Sequence, residues 1–247
     1  MEKSANYRLK RTIIFLLTLA GVGVWLIVNP ASYESAPAAE TPAAETPASA
    51  SGESQSTVAS ENSALTILAK LEIKGRAPKT GYKRTEFYDG WPNINGCSLR
   101  QIIIKREAGD SAELSGCDVI KGKFTEPYTG KIFEAFAKSD FSKHIQIDHV
   151  VALSDAWQKG AQYKTKEERF QLATDPLNLL AVDSSANQQK SDGDAATWLP
   201  PNKSFRCQYV ARQTSVKYKY GLWVTQAEHD AIAKVLETCP SEPAVGI

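Results

Sequence analysis

The chain has 247 residues, with 29 Lys or Arg, 28 Asp or Glu and a net charge of +1, room for one or two domains. So even a charge balance decides nothing about partners, but two classes drop out. The four cysteines show no CxxC or His-containing zinc spacing, and no GxxxxGK[ST] loop is present, which argues against a structural zinc site and against a nucleotide triphosphate.

Residues 1–11 form a basic head in which Lys3, Arg8, Lys10 and Arg11 are opposed only by Glu2. Residues 12–28, TIIFLLTLAGVGVWLIV, are apolar apart from two threonines and read as a signal anchor or a signal peptide. The basic flank places the head in the cytoplasm and the remainder outside, either at the outer face of the membrane or secreted. Residues 29–63 are Ala, Pro, Ser, Thr and Glu with almost no large apolar side chain, so they read as a disordered linker. The folded part is then residues 64–247, one domain by size.

Within it, 63–73 carries apolar residues at a helical period behind a Ser63 cap. Residues 64–106 hold nine basic and three acidic side chains, a local excess of 9 − 3 = 6 that suits a phosphate-rich partner. The Ile-rich stretch before Glu107 fits helix or strand, whereas DVIKGKF followed by EPYTGKIFEAF predicts a hairpin turning at 128–130. IQIDHVV (145–151) predicts a buried strand ending on Asp148 and His149, and 153–161 and 165–173 predict helices, the second capped by Thr165. PLNLLAV (176–182) predicts a second strand carrying Asn178, and SSANQQK a helix entered through Asn187. The tail is mainly helical, with Thr225 and Glu228 as a capping box. Four cysteines in an exported chain imply two disulfides. Three pairings are open, of which Cys97–Cys117 with Cys207–Cys239 closes local loops and is the one expected.

A strand ending in Asp-His, a second strand with Asn178 and a helix opening on Asn187, nine residues on (187 − 178), could surround one hydrated cation. The segments IDHVVALS, DPLNLLAV and SANQQKSDGD resemble the HNH (ββα-metal, His-Me finger) nuclease family. Within that family the likeness is to the C-terminal HNH domain of GmrSD-type restriction enzymes and to exported bacterial HNH proteins. It extends over NGCSLR, EPYTGK, DAATWLPPNKSFRCQYVARQ and KYGLWVT. The resemblance implies an α+β fold: a ββα-metal core in a mostly helical single domain, with a short β-hairpin region on its N-terminal side.

By the same resemblance, Asp148 and Asn187 would hold Mg²⁺ or Mn²⁺, His149 would activate water, and Asn178 would orient the imidazole. Asn at position 187, where some members carry His, weakens the case for zinc. Lys190, Lys159 and Arg100 are the candidates to meet nucleic-acid phosphates. The implied activity is metal-dependent hydrolysis of DNA, with RNA as the other substrate. No obligate protein partner is expected, and the membrane is a partner only if the N-terminal segment is retained. The competing reading is a catalytically inactive cell-surface protein that binds nucleic acid or another envelope component.

Overall fold

A computed structural model describes residues 60–246, so the basic head, the apolar run 12–28 and nearly all of the linker lie outside the described residues. Among the described residues no helix is long and apolar enough to cross a membrane. The fold is α+β, with eight α-helices and three small antiparallel sheets among those residues.

Helix α1 (Ala64–Leu68) starts where the Ser63 hydroxyl accepts from the Thr66 amide, as expected, but it stops five residues before the end of the apolar pattern. The chain then runs extended, and Ile73 bridges to Val224. Two two-residue strands, β1 (Asn93–Ile94) and β2 (Cys97–Ser98), lead into α2 (Leu99–Ala108). The Ile-rich stretch is therefore helix: Leu99, Ile103 and Ile104 share a buried face, and Gly109 closes the helix at φ 53°. The expected hairpin is present as β4 (Asp118–Thr125) and β5 (Ile132–Ala135), and β3 (Glu113–Ser115) adds a third strand to it. Its turn is tied by the Glu126 carboxylate, which accepts from the Tyr128 and Thr129 amides. Both expected disulfides are formed, with Cα separations of 5.4 Å for Cys97–Cys117 and 6.5 Å for Cys207–Cys239.

Helix α3 (Lys138–His144) runs directly into β6 (Ile145–His149). Arg100 anchors that junction by donating through Nη2 to the carbonyls of Phe141 and Ile145. Helices α4 (Leu153–Gln158) and α5 (Lys166–Thr174) follow, α5 with the Thr165–Glu168 capping box. Asn178 does not lie on a strand. Pro176 has no N–H to give and Asp175 accepts from the Leu177 amide, so Pro176–Asn178 forms a 3₁₀ turn before β7 (Leu179–Asp183).

Strands β6 and β7 pair antiparallel, with His149 opposite Leu179 and Asp148 opposite Leu180. Both faces of this ribbon are buried. Ile145, Ile147, Leu179 and Ala181 pack on the α2 side, while Leu180 and Val182 pack on Tyr128 and Tyr209. Since side chains alternate along a strand, the ribbon sends His149 and Asp148 towards different faces from one tip. Helix α6 (Ser184–Lys190) follows β7 at once, its first turn capped by the Asp183 carboxylate.

The last two helices, α7 (Arg206–Lys219) and α8 (Gln226–Leu236), enclose an ion cluster. Thr225 caps α8, but Glu228 does not return the bond; its carboxylate pairs with Lys159 and Lys217 inside the protein. Lys159 is fully buried against Asp155, Asp194 and Glu228, so it offers no charge to a phosphate and that expectation is corrected.

Candidate active site

An open cleft of about 350 Å³ lies at the tip of the β6–β7 ribbon, lined by Asp148, His149 and Asn187 together with Lys79, Arg84 and Asp192. Three of the four residues given catalytic or metal roles from the sequence thus face one space, and the fourth, Asn178, does not line it.

His149 is only 5% exposed. Its Nε2 lies 2.9 Å from the Ala173 carbonyl, which can only accept, so the proton sits on Nε2 and Nδ1 is the basic nitrogen. The ring stacks on Trp91 at 5.8 Å between centroids with 6° between planes, and Tyr88 packs at 6.0 Å. Burial, reinforced by the Arg84 charge, pushes the imidazole down to about 3, against a smaller upward pull from the Ala173 carbonyl. His149 is therefore neutral at neutral pH.

That neutrality carries a stability prediction. Below the unfolded value of 6.5, the unfolded chain takes up a proton that folded His149 refuses down to about 3. The His149 contribution is thus complete above pH 6.5 and is lost as pH falls, at up to about 1.4 kcal/mol per pH unit. Urea unfolding at pH 7 and pH 5 should show this slope, and His149→Gln should flatten it. An equal slope in both proteins would mean that the imidazole is solvated.

Asp148 is buried, and its carboxylate is clamped from two sides. Oδ1 lies 3.0 Å from the Lys190 ammonium and Oδ2 accepts from the Tyr128 hydroxyl. Burial raises its pKa, while Lys190 and Tyr128 pull the other way. Lys190 also donates to the His149 carbonyl at 2.9 Å, so it braces both tip residues. The expectation that Lys190 contacts nucleic acid is corrected: its ammonium is enclosed and already paired.

Asn187 sits on α6, and its Nδ2 donates to Gln146 at 2.8 Å. Its Oδ1 has no hydrogen-bond donor among the described residues. Asn178 does not touch the imidazole, which corrects the expected orienting bond. Its Oδ1 accepts from the Val151 amide at 2.8 Å, and its Nδ2 donates to the carbonyls of Leu172 and Val151 at 3.2 and 3.4 Å. Its own carbonyl accepts from Val150. Asn178 thus pins the loop that leaves the His149 tip to the segment supplying Ala173.

The donor set fits a hard divalent cation. The cleft offers the Asp148 carboxylate with spare lone pairs, the Asn187 amide oxygen without a donor and the Asp192 carboxylate, which is engaged by Lys79 and Ser154; these are hard oxygen groups, with no thiolate or second imidazole beside them. The one group of three potential ligands drawn from Cys, His and acidic residues that lies close together among the described residues is Cys207, Cys239 and Glu242. Its two cysteines are joined to each other, so it is no metal centre.

Several contributors escaped the sequence reading. Tyr128 was seen only as a turn residue, and Trp91 and the Ala173 carbonyl gave no signal. Arg84 had one, the basic excess of residues 64–106.

Residues 80–235 match the family described as GmrSD restriction endonucleases, C-terminal domain. The chain is also 34% identical over 186 residues to an uncharacterized secreted protein of Arthroderma benhamiae, covering 74% of this chain and 87% of that one. No solved structure matches it.

Proposed function

The chain belongs to the family of GmrSD restriction-endonuclease C-terminal domains, and from that premise we propose that it is an exported, metal-dependent HNH endonuclease acting on DNA. In this reading β6, β7 and α6 are the ββα-metal core. The observation that carries it is the tautomer of His149: neutral, with Nε2–H given to Ala173, leaving Nδ1 to accept a proton beside Asp148 and Asn187.

His149 Nδ1 takes a proton from water as its oxygen attacks phosphorus. The Ala173 carbonyl and the Trp91 ring hold the imidazole in the orientation this needs. Lys190 and Tyr128 fix the Asp148 carboxylate, and Gln146 turns the Asn187 amide so that its oxygen is the free atom. Asp148 and Asn187 would hold Mg²⁺ or Mn²⁺, which when bound offsets the negative charge gathering on the phosphate. Export fits the two disulfides, which persist in oxidising surroundings.

The test is a calorimetric titration of the full chain with Mn²⁺, alongside Asp148→Asn. One site is expected, weakened at least roughly tenfold by the substitution, since even second-layer losses reach that scale. The same preparations, given plasmid, single-stranded DNA and RNA with Mg²⁺ or EDTA, should cleave DNA only with the cation. Tight Mn²⁺ binding without cleavage of any of the three would replace the nuclease with the inactive surface protein.

A further inference from the structure

We propose that Arg84 is a catalytic residue that grips a non-bridging oxygen of the scissile phosphate; the proposal rests on the nuclease reading above. Seven arginines lie among the described residues, and six are engaged. Arg76 pairs with Asp155 and Asp194, and Arg169 with Glu86. Arg100, Arg106, Arg206 and Arg212 donate to main-chain carbonyls. Arg84 alone has neither a carboxylate nor a carbonyl partner among the described residues. Its hydrogen bond goes to the Tyr88 hydroxyl, and its guanidinium lies 5.3 Å from the Tyr88 ring centroid.

Its position gives that free charge a purpose. Arg84 lines the cleft with Asp148, His149 and Asn187, although it comes from a separate element, the 3₁₀ turn Arg84–Glu86. Tyr88, which holds it, also packs against the His149 ring. A guanidinium has five N–H donors in a planar fork, and one bond to a hydroxyl leaves a pair free for a phosphate. Of the other cleft cation, Lys79, the ammonium is paired with Asp192 at 3.0 Å.

The step to be stabilised is balanced as follows. Water gives a proton to His149 Nδ1 while its oxygen bonds to phosphorus. The P–O bond to the leaving strand breaks, and that oxygen takes a proton from solvent. Between these events the non-bridging oxygens carry their greatest negative charge, and donors aimed there act on the rate more than on binding. Arg84 is therefore expected to act chiefly on kcat.

Arg84 is exposed, so its replacement leaves the fold intact. The experiment compares the full chain with Arg84→Gln and Arg84→Lys in Mg²⁺ on supercoiled plasmid, with kcat and KM measured separately. Binding of a short DNA duplex in EDTA over a range of salt is the second readout. We expect kcat to fall about 10²- to 10³-fold in Arg84→Gln with a much smaller rise in KM, and to recover in part in Arg84→Lys. The salt slope of binding should drop by about one charge in Arg84→Gln. Equal kcat for wild type and Arg84→Gln, with wild type active, overturns the role of Arg84 and leaves the nuclease standing. A wild-type chain that does not cleave overturns both.

Discussion

Replacing Lys159 with Met should lower the unfolding free energy by about 3–5 kcal/mol at neutral pH, the cost of removing one partner from a buried ion pair. Its ammonium is fully enclosed and lies 2.7 Å from Asp155, 2.8 Å from Asp194 and 2.6 Å from Glu228. Lys217, equally enclosed, shares Asp155 and Glu228, and Arg76 closes the cluster from outside on Asp155 and Asp194. Three cations meet three carboxylates, so the substitution leaves one negative charge without compensation. Burial alone would raise the Asp155 carboxyl, yet Lys217, Lys159 and Arg76 hold it down to about 2. That contribution is present above the unfolded value of 3.8 and is lost as pH falls towards 2, so the deficit of the variant should shrink in acid. Urea unfolding of both chains at pH 7 and pH 3 measures it. A loss below about 1 kcal/mol at pH 7 is the scale of a surface pair and would mean that water reaches the cluster.

Asn178→Ala should cost about 2–4 kcal/mol and slow cleavage about a hundredfold. The side chain is 0% exposed, and its loss leaves the Val151 amide and the Leu172 carbonyl buried without partners, each at about 1–3 kcal/mol. The rate falls for a different reason. Val151 follows the His149 tip by two residues, and Leu172 precedes by one the Ala173 carbonyl that sets the imidazole tautomer. Releasing the two segments from each other lets the base shift, and a displacement of about 1 Å can cost a factor of about 10². Urea unfolding and plasmid nicking check the two halves separately. Loss of cleavage with stability unchanged would show that Asn178 acts on the substrate and not through the loop.

What was legible in the sequence follows the range of the interactions. The Thr165 cap, the turn at 128–130 and the two locally closed disulfides lie within short stretches of chain and stand as read, whereas the capping box read at Thr225 does not form because Glu228 is drawn into the ion cluster. Asp148, His149 and Asn187 came from the family resemblance, and the strand tip and helix start that carry them bring the three side chains to one cleft. Asn178 was found but given the wrong contacts, since its partners Leu172 and Val151 lie 6 and 27 residues away. Lys159 and Lys190 were expected at nucleic-acid phosphates because an isolated lysine usually reaches solvent. Their burial depends on carboxylates up to 69 residues distant, which no local pattern announces. Arg84 is the reverse case: its value lies in having no acidic partner, and that emerges only once every other arginine has been placed.

The most direct measurement is the rate at which the purified full chain nicks supercoiled plasmid in Mg²⁺, set beside His149→Ala. The nuclease account predicts nicking that stops in EDTA and falls by about 10²- to 10⁴-fold in the variant, which still unfolds cooperatively at pH 8, with a melting temperature lowered by the loss of the Ala173 bond and the Trp91 stacking. Equal rates in the two proteins would contradict it, as would a folded wild-type chain that leaves the plasmid intact.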